Sequence, residues 1–430
     1  MYFRETKSEG KCGLNNSAVG RKFVSLQLLS AKPVGMRLTL RLAVVAALLV
    51  AAVRPAHGQT ESVLYSFANT PDGANPLYVT PVLDAKQNIY GTTKFGGTDD
   101  FGTAWELTPS GAETVLHSFH ADGTDGVYPL AGVVLGKKGI LYGTTVEGGT
   151  NSIDGTMFQL TPKKKSWTEA ILHSFGAIGD GAQPYDALTL DKNGNLYGTT
   201  YGGGTYSFGT VFERTPSGTE TVLWSFGNGT DGANPIAGVI RDAKGNVYGT
   251  TEYGGLYNQG TVFELTPTMN GWTEAVLWSF GSGTDGANPY GGVVLGKKGI
   301  LYGTTINGGD FGDGTVFALT PTKTGWTEKI LHSFANNDID GFNPAAGLLM
   351  DKKTGNFYGT ALNGGGTGSV AGIVFKITPS GAYAILHVFS GSPDGGSPWG
   401  GLASDKLGNL YGTTFSGGTN GYGTVYKVTP

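Results

Sequence analysis

Beyond residue 60 the apolar positions come in short runs, separated by clusters of Gly, Asp, Asn and Pro, and the same runs return along the chain. The most regular run is LYGTT, Leu196 to Thr200. Its tyrosine recurs as Tyr90, Tyr142, Tyr197, Tyr248, Tyr302, Tyr358 and Tyr411, at intervals of 52, 55, 51, 54, 56 and 53 residues. A period of this length marks one supersecondary unit copied along the chain. Residues 231–280 show the unit. Asp231 to Pro235 reads as a loop, because Asp, Gly and Asn favour turns and Pro ends them. Gly238 to Arg241 is a short strand, A. Asp242 to Asn246 is a tight turn in which Gly245 can take positive φ. Val247 to Thr251 is strand B, and Gly254-Gly255 opens the next loop. Thr261 to Leu265 is strand C, closed by Thr266-Pro267, and Glu274 to Phe280 is strand D. No stretch sustains an apolar period of 3.6, so helix is essentially excluded. Four short antiparallel strands per repeat predict the blade of an all-β, seven-bladed propeller.

The two ends predict how the ring closes. The first repetitive element, Ser62 to Phe67, is a D strand standing alone. The last, ending at Thr424 to Pro430, is an A–B–C set without its D strand. Strand 62–67 therefore joins the final blade, which removes the exposed edges that invite aggregation. A solenoid would want atypical capping repeats, and none is visible. Trp167, Trp272 and Trp326 occur where the C–D hairpin is long and read as packing that covers a blade end.

The charge pattern divides the chain. Residues 1–58 hold nine Lys and Arg against two acids, leaving 20 basic and 31 acidic residues beyond, a net of about −11. An acidic surface repels phosphate, so nucleic acid is excluded as a partner. Arg37 and Arg41 precede the apolar run Leu42 to Val53, and Ala56-His57-Gly58 offers small residues for cleavage after Gly58. Residues 36–58 thus read as a secretory signal, too short for a membrane span. Residues 1–35 form a polar extension, with Met36 a candidate true start, and 59–430 the repeat domain. The only cysteine, Cys12, lies in the extension, so the mature chain has no thiol. The expected location is secreted or periplasmic, with no membrane span in the mature chain, as a monomer.

The phrase Leu196-Tyr197-Gly198-Thr199-Thr200, followed by Gly209-Thr210-Val211-Phe212 and the VLHSF of Val115 to Phe119, resembles the bacterial GloVer tandem repeat of Gloeobacter and Verrucomicrobia proteins. The resemblance covers residues 61–430. It implies an exported protein of unassigned activity, often with a C-terminal sorting anchor. This chain stops at Pro430 inside a repeat motif, so free secretion or periplasmic residence is expected instead. The resemblance transfers no catalytic residue.

Candidate chemistry lies in the loops. In a propeller the D–A and B–C loops share one face. A ring of seven acids, Asp72, Asp125, Asp180, Asp231, Asp285, Asp340 and Asp394, would then circle one mouth of the channel. Such a ring could hold a hard cation such as Ca2+ or accept bonds from sugar hydroxyls. Asp before Gly is also an ordinary turn residue, and a sevenfold feature gives no asymmetric site. No cofactor and no metal are assigned. The B–C loops differ most between repeats and carry Phe95, Tyr201, Tyr253, Phe311 and Phe415, with Tyr206, Tyr257 and Tyr422 nearby. Variable loops on a rigid scaffold are where binding usually resides. His117, His173, His332 and His387 share a strand D position with Tyr65, Trp224 and Trp278, which reads as amphipathic packing. Acids that break the repeat pattern include Asp100, Glu147, Asp154, Glu252 and Asp313. The leading reading is a secreted, non-catalytic binding propeller for an extracellular polysaccharide or a cell-surface protein. Two others stay open: a propeller glycoside hydrolase or lyase with acids at the channel mouth, for which Glu252 and Asp313 are the named residues, and a structural envelope or matrix protein.

Overall fold

The computed structural model describes residues 60–151, 153–337, 339–366 and 371–430. The polar extension and the segment expected to be a secretory signal fall outside them. Seven four-stranded antiparallel sheets follow one another along the chain, each in the order A–B–C–D. In the fourth blade the strands are Ile240–Arg241, Val247–Thr251, Thr261–Thr268 and Gly271–Ser279. Among the described residues, helix is confined to two 3-10 turns, Lys137–Gly139 and Lys297–Gly299. The seventh sheet takes three strands from the C-terminal end and its outer strand, Thr60–Ser66, from the other. That strand pairs with Thr424–Thr429 from Thr60 opposite Thr429 to Ser66 opposite Thr424.

Each residue of LYGTT has a physical task. The leucine is core. The tyrosine hydroxyl bonds acids on either side: Tyr90 donates to Glu106 at 2.9 Å and Tyr411 to Asp405 at 3.1 Å. The glycine leaves room for the aromatic ring of strand C. A Cβ on Gly303 would stand 2.6 Å from Phe317 Cζ. The first threonine reaches the next blade: Thr199 donates to the Ala237 carbonyl at 2.9 Å and Thr304 to the Ala346 carbonyl at 2.8 Å. All seven blades make this bond, including Thr413 to the Val79 carbonyl across the ring's ends. The second threonine bonds its own strand C, as Thr93 does with Thr103 at 2.8 Å. One blade departs from this: Ala361 stands opposite Ile373, so an apolar pair replaces the hydroxyl pair. Exchanging both partners leaves nothing unsatisfied.

The blades meet through aromatic rings. The phenylalanine that ends strand D packs edge-on or tilted against the strand C ring of the following blade. Phe226 meets Phe263 at 5.0 Å, Phe389 meets Tyr426 at 4.9 Å, and Phe67 meets Trp105 at 5.6 Å. Among the described residues the core is therefore seven interblade clusters, each drawing on two neighbouring sheets. The three hairpin tryptophans serve this packing. Trp167 sits edge-on to Tyr90 of the preceding blade at 6.3 Å, and Trp272 and Trp326 border the clusters holding Tyr197 and Tyr248.

The sequence left one feature as plain loop. Each D–A loop pairs with a B–C loop in a two-stranded ribbon, such as Gly232–Ala233 with Tyr253–Gly254. These ribbons, seven among the described residues, bind the two loop sets into one face. They demand close approach: Gly254, at φ 81°, would drive a Cβ to 2.5 Å from the Asp231 carbonyl oxygen.

Candidate binding site at the channel mouth

The seven DG acids are anchored at the outer edge of the ring. Each accepts a hydrogen bond from the aromatic side chain on strand D that precedes it. Tyr65 bonds Asp72 at 2.9 Å, Trp224 bonds Asp231 at 3.2 Å and Trp278 bonds Asp285 at 3.1 Å. His117, His173, His332 and His387 lie 2.9 to 3.1 Å from Asp125, Asp180, Asp340 and Asp394. Histidine, tyrosine and tryptophan exchange here because each presents one N–H or O–H at the tip of a flat ring. The position is thus a donor, which corrects its reading as packing alone. Strand D is the outermost strand, whereas residues just ahead of strand A line the channel. The acids consequently ring the periphery and not the central mouth. Most also accept backbone N–H groups, as Asp125 does from Gly126 and His120.

A second carboxyl group faces each of six of these acids across the seam. Four residues before the aromatic donor, strand D carries Glu61, Glu113, Glu169, Glu220, Glu274 or Glu328, and in one blade Tyr383. No donor reaches the buried Oε1 of any of the six glutamates. Burial first, then the facing aspartate, pushes Glu113 (by Asp72) and Glu274 (by Asp231) up to about 7. The same causes raise Glu169 and Glu328 further. Glu61 with His387 and Asp394, Glu169 with His117 and Asp125, and Glu220 with His173 and Asp180 each bring three ligand-type atoms within 4.8 Å of one another. Three sister seams replace the histidine by Tyr or Trp and keep the glutamate, and the fourth keeps His332 but replaces the glutamate by Tyr383, so the pattern fits proton sharing better than metal ligation.

The asymmetric constellation lies at the centre. Glu252, only 4% exposed, follows strand B of the fourth blade. Tyr290 of the next blade donates to its Oε1 at 3.1 Å, and Tyr201 and Tyr253 lie near enough for the same carboxylate to raise their pKa values. Tyr185 stands against Tyr201 with ring centres 5.2 Å apart, and Tyr78 against Trp399 at 5.6 Å. Burial, then the charges around Glu252, hold Tyr78 and Tyr201 up to about 12 and Tyr290 higher still. The phenols therefore remain donors at any physiological pH. Asp186 forms another part of the channel wall. Burial raises its pKa against the pull of the Gly238 and Ala187 amides, each 2.7 Å away. These side chains form a collar around the channel, and the space of about 30 Å³ between Tyr78, Asp186, Ile236, Tyr290 and Trp399 has room for a water or two. Phenol hydroxyls, a buried carboxylate and aromatic faces thus meet at the channel.

Of the aromatics named from sequence, Tyr201 and Tyr253 converge here. Phe95 packs on Tyr128 at 5.6 Å. Phe415 uses its carbonyl to hold Asn75 of the first blade at 2.8 Å. Phe311 is 64% exposed on its own loop. Asp313 accepts the Asn336 amide at 2.8 Å and pins a loop, so it is not joined with Glu252.

A family model described as the Gloeobacter/Verrucomicrobia repeat matches residues 49–255, 152–371 and 238–430. The chain belongs to this repeat family. No curated protein matches it in sequence. Among solved structures, the repeat ring resembles PorZ, a bacterial surface component of the type-IX secretion system of Porphyromonas gingivalis, at 14% identity and a TM-score of 0.52 over 84% of this chain and 47% of that one. It also resembles an ancestral GH74 enzyme at 11% identity and a TM-score of 0.52, over 85% and 50%. The chain spans about half the length of each, and at such identities only the fold is shared. In this Gloeobacter/Verrucomicrobia repeat, the collar residues that sequence reading overlooked are Tyr78, Tyr185, Asp186, Tyr290 and Trp399. All stand one or two places after the proline of the D–A loop. There the repeats also hold Leu77, Ala131, Ile236, Gly291 and Ala345. Such variation beside an otherwise fixed phrase was the available signal.

Proposed function

We propose that the protein is an exported binding propeller that holds an extracellular polysaccharide on the face made by the D–A and B–C loops. The observation that supports this reading is the asymmetry of the collar. Six seams repeat the same acid pairs for structure, while one blade places a carboxylate beneath converging tyrosines. Phenols oriented by the buried Glu252 can give and take hydrogen bonds with sugar hydroxyls, and the flat rings of Tyr185, Tyr201 and Trp399 suit the apolar faces of pyranoses. The Arg-flanked apolar run of residues 42–53 supports export. Binding to an array of bacterial and plant polysaccharides, compared between the native chain, Glu252→Gln and Trp399→Ala, tests the reading. Retained glycans should be lost or weakened about tenfold in the variants, the worth of one buried charged hydrogen bond. Release of reducing ends that Glu252→Gln abolishes would make the protein a hydrolase instead. Binding to no polysaccharide would overturn the proposal.

A further inference from the structure

Strand D carries tryptophan as the aspartate's donor in only two blades, the third and the fourth, which are neighbours. Both tryptophans stand beside an exposed tyrosine. Tyr206 (44% exposed) accompanies Trp224, and Tyr257 (50% exposed) accompanies Trp278. The two tyrosines occupy one repeat position, three residues before Gly209 and Gly260. Among the described residues the other blades hold Asp99, Phe311 or Asn420 there, beside a histidine or Tyr65 on strand D. Each Tyr–Trp pair walls a groove. The first, about 420 Å³, is completed by Thr205, Ser225, Asn228 and Trp272. The second, about 480 Å³, is completed by Thr230, Leu256, Ser279 and Ser282.

The two grooves share the Tyr–Trp wall, bordering hydroxyls and an uncharged lining, while the first adds Trp272 and Asn228 and the second Leu256. The indole N–H of each tryptophan is already committed to Asp231 or Asp285, which fixes the ring and leaves the rest of it as an apolar wall. Hydroxyl and amide groups border that wall, and no charged side chain lines either groove. A charged ligand would lose hydration there without gaining an ion pair. A neutral sugar ring loses little: its C–H face meets the rings and its hydroxyls meet Thr, Ser and Asn. Two equivalent sites on adjacent blades suit a chain that repeats its own units, because linked binding events reinforce one another. We infer that these grooves are paired subsites for a neutral, pyranose-based polysaccharide. The inference rests on the reading that this face binds polysaccharide, and adds the place and the charge class of the ligand.

Trp224→His and Trp278→His are suitable variants, because four other blades carry histidine at that position and bond the aspartate with it. Tyr206→Ala and Tyr257→Ala supply an independent pair that leaves strand D intact. Affinity electrophoresis of the whole chain would be run against neutral glucan, mannan and arabinoxylan, with alginate and a proline-rich peptide as competitors. Titration with the matching hexasaccharides, read by tryptophan fluorescence, would be done in both native and Glu252→Gln backgrounds. Altering one groove should weaken retention by a neutral polymer about tenfold, and altering both should abolish it, as the linked contribution disappears. The hexasaccharide signal should survive Glu252→Gln. Unchanged retention in all groove variants, while Glu252→Gln abolishes it, would overturn this inference and leave the collar reading standing. Preference for alginate, or displacement by the proline-rich peptide alone, would also overturn it. Absence of any polysaccharide binding would remove both readings.

Discussion

Replacing Glu113 and Glu274 by glutamine tests whether the seam acids hold protons. Glu274 faces Asp231, whose other partners are the Trp224 N–H and the Gly227 amide. Glu113 faces Asp72, which also accepts from Tyr65. Each glutamate has a buried oxygen that no donor reaches. Two ionised carboxylates there would repel, so the glutamate remains protonated in the folded chain and is ionised in the unfolded one. The folded chain then binds more protons, and stability must fall as pH rises from about 4.5 towards 7, levelling off above that. The blade with Tyr383 supports the assignment. Its phenol faces Asp340 from the same register and is held far above the ordinary range by burial first and Asp340 next. A side chain that is always protonated occupies the place in that seam.

The magnitude follows from the same values. A rise from about 4.5 to about 7 corresponds to about 3 kcal/mol per glutamate at full weight. Both side chains keep partial contact with solvent, which screens the interaction and leaves roughly 1–2 kcal/mol each. The two seams are well separated along the ring, so the effects should add to about 2–4 kcal/mol. Glutamine keeps the shape, stays neutral and can donate its N–H to the aspartate. The double variant Glu113→Gln/Glu274→Gln should therefore match the native chain near pH 5 and exceed it at pH 8. For a domain of this size, with an unfolding entropy of roughly 0.8 kcal/mol/K, the gain is about 3–5 °C in Tm. Thermal melts followed by circular dichroism at half-unit pH steps from 4.5 to 9 would show it. Parallel pH curves for the two proteins would refute the reasoning, as would a variant less stable at pH 8 than at pH 5 relative to the native chain.

Tyr383→Glu should add a seventh titrating acid at the Asp340 seam, so that its deficit against the native chain grows between pH 5 and 8 in the same melts. Thr304→Val removes the bond to the Ala346 carbonyl and leaves that buried acceptor unpaired, which should cost about 1–2 kcal/mol in urea unfolding, whereas Thr322→Val on an exposed hairpin should cost under about 0.5 kcal/mol. Ala361→Thr alone places a hydroxyl against Ile373 and should cost about 1–3 kcal/mol, while Ala361→Thr/Ile373→Thr should recover most of it by restoring the pair the other blades use. Gly303→Ala should cost about 1–3 kcal/mol by forcing its new methyl group against Phe317.

Features that recur at one period were legible in the sequence, because each copy repeats the same local cause. Strand B of the fourth blade was read at its observed limits, and the covering role of Trp167, Trp272 and Trp326 followed from hairpin length. Features whose partners lie a blade apart were not legible. Glu274 and Asp231 are 43 residues apart and Tyr290 and Glu252 are 38, and no local spacing links either pair. The strand D position that exchanges His, Tyr and Trp was read by its bulk, whereas its conserved property is the single donor at the ring's tip. Departure from the repeat is therefore not by itself a mark of function. Ala361 departs, but Ile373 departs with it and the exchange closes on itself inside the blade. Glu252 departs and is met by tyrosines from three positions, two of them in other blades, at the one place where all seven sheets converge. A change that recruits partners across blades at the axis does not serve the packing of any one of them, and this separates the collar from the other irregularities of the ring.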